Sequence, residues 1–140
     1  MSISIEISDY TDDILQRIEE AIDNGLEEVG VKAEGYAAAA LESHPRRIDT
    51  GLLRNSITHA RGGQPMAKAI YTSDDGSKTG SYSGSMDGDK KAVYIGTNVA
   101  YAGYVHDGTS KMEPNRFLAS AASGHGDDYS KIMERSLKDV

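Results

Sequence analysis

The sequence predicts an α+β fold: an antiparallel sheet of about four strands packed against one long N-terminal helix, with short helices and a C-terminal helix. Three observations carry this. Apolar residues recur every three or four positions from Ile14 to Leu41, the pattern of an amphipathic helix. Apolar–polar segments then follow one another through residues 57–98, separated by Gly, Pro and Asp rather than by helices, which favours antiparallel pairing. Beyond Pro114 the helical spacing returns and continues to Val140. At 140 residues the chain reads as a single domain, 1–140, of a size that buries roughly 68–70% of its unfolded surface.

In chain order, Ser2–Ser8 alternates Ile3, Ile5 and Ile7 with polar residues and reads as a half-buried strand. Asp9–Asp13 supplies capping and first-turn chemistry for the long helix, with Thr11 or Asp9 as the cap. Ile14, Ile18, Ile22, Leu26, Val29, Ala33, Tyr36 and Ala40 mark its apolar stripe. Gly25, Gly30 and Gly35 each cost about 1 kcal/mol there relative to Ala, and read as a kink or a close approach to the sheet. Pro45 ends the helix. Asp49-Thr50-Gly51 followed by Leu52-Leu53-Arg54 reads as a cap and one or two helical turns. Strands are expected at Ile57–Arg61, Ala67–Ser73 and Lys91–Asn98. Between the last two, residues 74–90 are rich in Gly, Ser and Asp and read as a mobile loop or arm. A short helix is expected over Val99–Asp107, with Tyr101, Tyr104 and Val105 on one face and Gly108 ending it. Arg116–Ser123 is helical in pattern, and Asp127 or Asp128 caps a last helix.

Composition narrows the function classes. The chain has no Cys, which excludes disulfides, thiolate metal sites and a Cys nucleophile. Eight Tyr, one Phe and no Trp make its aromatic surface almost wholly amphipathic, a composition favoured at protein interfaces. No stretch approaches the ~20 apolar residues of a membrane span, and MSISIEIS is unlike a signal peptide, so a soluble, unexported protein is expected. Charge is uneven. Residues 1–43 carry eleven acids against Arg17 and Lys32, a balance of −9, whereas the other 97 residues stand at +2, for −7 in all. Such a run is a solvated helix face or a surface that meets a basic partner and repels DNA.

Motifs for chemistry are missing or mis-ordered. Gly76-Ser77-Lys78-Thr79 is not a phosphate-binding loop, and Gly80–Gly84 places Tyr82 where a nucleophile elbow needs Ser. His44, His59, His106 and His125 are scattered, and Asp87-Gly88-Asp89 lacks the rest of a calcium loop. No cofactor, metal or catalytic group is therefore expected. Arg46, Arg47, Arg54 and Arg61 form a loose basic stretch, read as a solvated turn pairing with the acidic helix, as a contact with an acidic partner subunit or, least favoured in so acidic a chain, as a DNA contact. His106-Asp107 reads as a local polar pair at a helix end, with proton transfer as the alternative.

Two blocks remain. Arg46–Ile57 reads RRIDTGLLRNSI, and Tyr94–Leu118 reads YIGTNVAYAGYVHDGTSKMEPNRFL. Asp49-Thr50-Gly51 with Leu53-Arg54 and Ser56-Ile57, then Gly96-Thr97-Asn98 with Tyr101-Ala102 and Tyr104-Val105, then Gly108–Met112 with Phe117-Leu118, resemble the HK97 gp10-like family of tailed phages. The resemblance covers roughly residues 10–140, in order, and leaves the Gly-rich 74–90 insert outside the family pattern. It implies a virion structural protein at the head–tail junction, a neck or tail-completion subunit, or alternatively a tail-terminator or head-closure ring subunit. Implied partners are copies of itself in a ring of six or twelve and the adjacent head-closure, connector, tail-tube or tail-terminator proteins. DNA would pass through the channel without specific binding, and neither a membrane nor a small-molecule substrate is involved. The location implied is the virion, with the host cytoplasm during assembly. The contact residues expected on this reading are Arg46, Arg47, Asp49, Arg54, Tyr101, Tyr104, His106, Asp107 and Lys111. A reading of another class makes the chain a small enzyme or effector using His106 and Asp107, with His59 as a further candidate.

Overall fold

The computed structural model describes residues 12–138 and Val140; for 3–11 it gives the backbone alone, as the start of the first helix. The fold is α+β. Helix α1 (Ile3–Glu42) is followed by α2 (Leu52–Ser56), strands β1 (Thr58–Arg61), β2 (Ile70–Thr72), β3 (Thr79–Ser81) and β4 (Val93–Gly96), and helices α3 (Ala102–Asp107), α4 (Phe117–Ser123) and α5 (Gly126–Lys138). None of the described helices is long and apolar enough to cross a membrane. The strand expected over Ser2–Ser8 and the cap expected at Asp9 or Thr11 fall outside the described residues.

Helix α1 is the axis of the molecule, touching β1 and β4 as well as α4 and α5. Its buried stripe is Ala21, Gly25, Val29, Gly30, Ala33, Ala37 and Leu41, residues small enough for partners to approach the helix backbone. The main core gathers Ala37 and Leu41 with Leu53, Ile57, Ala102, Val105, Phe117 and Ala121. Phe117, Leu41 and Ile57 are fully buried there, each worth about 1.5–3 kcal/mol. The two sequence blocks thus meet in one core, and Ser56 Oγ and Thr97 Oγ1 join them at 2.6 Å.

The four strands form two antiparallel ladders rather than one sheet. β1 pairs with β4, Thr58 opposite Gly96 and Arg61 opposite Val93; β2 pairs with β3, Ile70 opposite Ser81 and Thr72 opposite Thr79. Gly62-Gly63 and Pro65 separate β1 from β2, and a proline has no N–H to extend a ladder. Single bonds link the two, with Ala67 N–H donating to the His59 carbonyl at 2.9 Å.

Residues 74–90, expected as an arm without regular structure, hold β3 and are bonded to the body at several points. The Tyr82 hydroxyl donates to the Ser56 carbonyl at 2.6 Å, Asn98 Nδ2 donates to the Ser81 carbonyl at 2.8 Å, and Met86 exchanges backbone bonds with Gly63 and Gln64. The turn at its start is local: Asp75 accepts from the Ser77 hydroxyl and N–H and from the Ser73 hydroxyl, which pulls its carboxyl down to about 2.

Smaller differences concern caps and faces. α2 is entered through Gly51 in the left-handed region, φ 81°, with no side-chain cap; Thr50 Oγ1 accepts from Leu52 N–H at 3.3 Å. α5 begins at Gly126, so Asp127 and Asp128 sit in its first turn instead of capping it. In α3 the inward face is Ala102 and Val105, while Tyr101 and Tyr104 turn outward.

Candidate functional site

Seven of the nine expected contact residues line one of two cavities. Arg46, Arg47, Asp49, Arg54 and Tyr101 line one open cavity of about 250 Å3, floored by Leu53 and Val105 where the first block meets α3. His106 and Asp107 line a wider groove of about 700 Å3 between β4 and α3–α4. Tyr104 and Lys111 line neither; Tyr104 is 66% exposed, and Lys111 stands exposed in the turn after α3.

Within the first cavity much of the polar chemistry is committed to the fold. Arg54 bridges Glu42 at 3.1 Å and Asp74 at 2.7 Å, tying the end of α1 to the β2–β3 hairpin. Asn55 Nδ2 adds a bond to Asp74 at 3.0 Å, and Asp74 N–H donates to the Thr50 carbonyl at 2.8 Å. Gly51 is the seat of this latch. A Cβ there would lie 2.4 Å from the Asp74 carboxylate, on a backbone that L side chains rarely adopt. Arg47 donates to the Glu113 carbonyl at 2.8 Å and Arg46 to that of Ile48 at 3.1 Å. Neither has an acidic partner among the described residues. Burial and the Asp49 carboxylate raise the Tyr101 phenol above its ordinary pKa.

His106 is a positioning group. Its Nε2 accepts the N–H of Ala119 at 3.2 Å, in the first turn of α4, which has no side-chain cap of its own. That bond requires Nε2 to be unprotonated, so Nδ1 carries the proton and donates to Asp107 at 2.9 Å. The same bond holds the Asp107 carboxyl below the ordinary range. The ring also packs edge-on against Phe117, centroids 5.5 Å apart.

The sequence did not show that His59 lies between two carboxylates, although it did suggest that Arg61 pairs with the acidic helix. With 5% of its side chain exposed, the ring lies between two carboxylates of α1, Glu27 at 2.6 Å from Nε2 and Glu34 at 3.5 Å from Nδ1. Arg61, on the same face of β1, reaches Asp23 and Glu27 at 3.5 Å each. The Glu34 carboxylate raises the His59 pKa, burial opposes it, and Glu27 adds to the rise, with a net shift upward. Gly30, one turn from both glutamates, gives the ring its space: a Cβ there would sit 2.6 Å from the imidazole. The available signal was the alternation of β1 set against the one-turn spacing of Glu27, Gly30 and Glu34.

Compared with protein-family models, with curated proteins and with solved structures, the chain matches none.

Proposed function

We propose that this chain is a structural subunit of a tailed phage or prophage particle, a neck or tail-completion protein that joins head and tail as part of a ring. The observation that carries the reading is the fate of the two blocks. Leu53 and Ile57 of the first meet Ala102, Val105 and Phe117 of the second in one core, so both are scaffold. The polar groups within them serve as latches and caps: Arg54 on Asp74, Ser56 on Thr97, His106 on Ala119. What the blocks leave outside is a tyrosine and arginine surface, Arg46, Arg47, Tyr101 and Tyr104, of the composition that subunit contacts favour.

The enzyme or effector reading needs a histidine with a ring nitrogen able to take or give a proton. Both nitrogens of His106 are engaged within the chain, which favours the structural reading. The test is a phage or lysogen lacking this gene. Heads and tails that accumulate unjoined, and that join when purified protein is added, bear the proposal out. Complete infectious particles formed without the protein overturn it.

A further inference from the structure

Among the described residues, no element covers α1 between Asp12 and Arg17. From Asp12 to Arg17 every residue is exposed, Ile18 is half-buried, and the first buried position is Ala21. Ile14 and Leu15 nevertheless stand 50% and 54% exposed, and with Ile18 they form one stripe at i, i+1 and i+4. Helix α5 runs antiparallel alongside, its Asp128 bonded to Tyr36, its Arg135 to Glu28 and its Ser136 to the Ala21 carbonyl. Leu137, in the last turn of α5, and Val140 beyond that helix are 40% and 45% exposed. Ile14, Leu15 and Ile18 thus present an apolar stripe to solvent, the mark of an interaction site.

Charge selects the occupant. The stripe is flanked by Asp12, Asp13, Glu19 and Glu20, against which the arm holds only Arg17. Two arms packed on each other would bring these acids together, so a symmetric arm-to-arm dimer is disfavoured. A complementary surface exists on the same chain. The groove between β4 and α3–α4 is lined by Val93, Ile95, Val99, Leu118 and Ala122. Lys90 and Lys91 stand exposed where the chain enters β4, and Arg116, exposed at the head of α4, reaches Asp107 on the rim at 4.0 Å.

We propose that the α1 arm of one copy seats its Ile14–Leu15–Ile18 stripe in the β4/α3–α4 groove of a second copy. The contact joins two different faces, so its repetition builds a ring when the rotation closes. The inference rests on the ring reading above for that closure, and the two are separable by experiment.

Because the chain has no Cys, engineered cysteines report contacts cleanly. Full-length Leu15→Cys and Ala122→Cys proteins, both substituted at exposed positions, are mixed and oxidised, with each alone as control. The expected result is a mixed disulfide dimer exceeding either homodimer at least tenfold. In light scattering, Leu15→Asp/Ile18→Asp should weaken self-association of the otherwise unchanged chain by roughly tenfold or more, since two apolar side chains lose their burial. An unaltered circular dichroism spectrum establishes that the variant is folded. A predominant Leu15→Cys homodimer overturns the proposal in favour of arm-to-arm pairing. Oligomers that form without the mixed cross-link overturn the arm contact and leave the ring reading standing. A chain that stays monomeric and uncross-linked at the highest soluble concentration overturns self-docking, while the gene-deletion particles still decide the neck assignment.

Discussion

Alanine placed at each of the three interior glycines of α1 should change stability with a different sign. By helix propensity alone each substitution gains about 1 kcal/mol. At Gly35 nothing lies within 4 Å of the new Cβ, so the full gain is expected, a rise of about 3–5 °C in Tm. At Gly25 the Cβ meets Met133 Sδ at 2.7 Å and the Ser136 Cβ at 3.1 Å. A thioether swings aside at a cost of about 1 kcal/mol, so this variant should lie within about 0.5 kcal/mol of the parent. At Gly30 the Cβ meets the His59 ring at 2.6 Å and Val93 Cγ2 at 2.8 Å. That ring is held between Glu27 and Glu34, and the valine is stiff at χ1, so neither yields easily. Overpacking of about 1–3 kcal/mol offsets or outweighs the propensity gain, and a net loss of up to about 2 kcal/mol is expected.

The measurement is reversible denaturation of the three single variants under one set of conditions, with equal m-values as the check that only stability has moved. Gly30→Ala stabilising as much as Gly35→Ala would refute the reasoning, because the seating of β1 against α1 would then not depend on the bare backbone at that point. Three equal gains would reduce all three glycines to accidents of composition.

Further expectations follow from the latches. Gly51→Ala should cost about 2–3 kcal/mol, combining left-handed strain of about 1–2 kcal/mol with displacement of Asp74; in Asp74→Ala the added loss should fall to the strain alone, as a double-mutant cycle measures. Asn115→Ala should cost about 1–3 kcal/mol in chemical denaturation, since buried Nδ2 donates to the carbonyls of both Ala40 and Pro45. His59 has its pKa raised in the fold. Its contribution to stability is therefore complete below the unfolded value of about 6.5 and is lost as pH rises through the folded one, so the pH–stability curve of His59→Gln should be flatter there. His106→Ala should loosen α4, seen as faster amide exchange at Ala119, while His106→Asn, which keeps a side-chain acceptor, retains part of the protection.

Periodicity made the helical frame legible. The α1 stripe and Ile132 in α5 were readable because a helix that covers a core must repeat every three or four residues. β4 was readable from its alternation, and β1 as a segment closed by the turn-prone Gly62-Gly63. β3 was not. Thr79-Gly80-Ser81 has no apolar residue, and it becomes a strand because Gly80 leaves room for the Tyr71 ring across the ladder and because Tyr82, one residue on, bonds to Ser56. The division into two ladders was not legible either, because it depends on which segments pair across the chain, β1 with β4 and β2 with β3. For the candidate site, the sequence grouped nine residues, and five of them share a cavity. Asp74, the carboxylate that organises that cavity, lay in a segment of low complexity and is singled out only by tertiary contact with Gly51 and Arg54. His106 was read as a polar pair with Asp107, but its bond to Ala119 joins residues thirteen apart in sequence and had no local signal.

The charge asymmetry looks different once the pairing is known. The middle and end of α1 are largely neutralised from within the chain: Asp23 and Glu27 face Arg61, Glu27 and Glu34 enclose His59, Glu28 meets Arg135, and Glu42 meets Arg54. An acidic helix of this kind needs no outside partner over those turns. The imbalance is concentrated instead at the start, where Asp13 has Arg17 and, among the described residues, Asp12, Glu19 and Glu20 have no base. That is also the part of α1 whose isoleucines and leucine lack cover. Unmatched charge and unmatched apolar surface coincide on one stretch, while the exposed lysines that would answer the charge lie at the entry to β4. A solvated face would need the acids and not the exposed Ile14 and Leu15; a membrane-seeking face would need the apolar residues with bases around them rather than acids. The combination suits a protein surface of opposite charge, and the chain itself carries one.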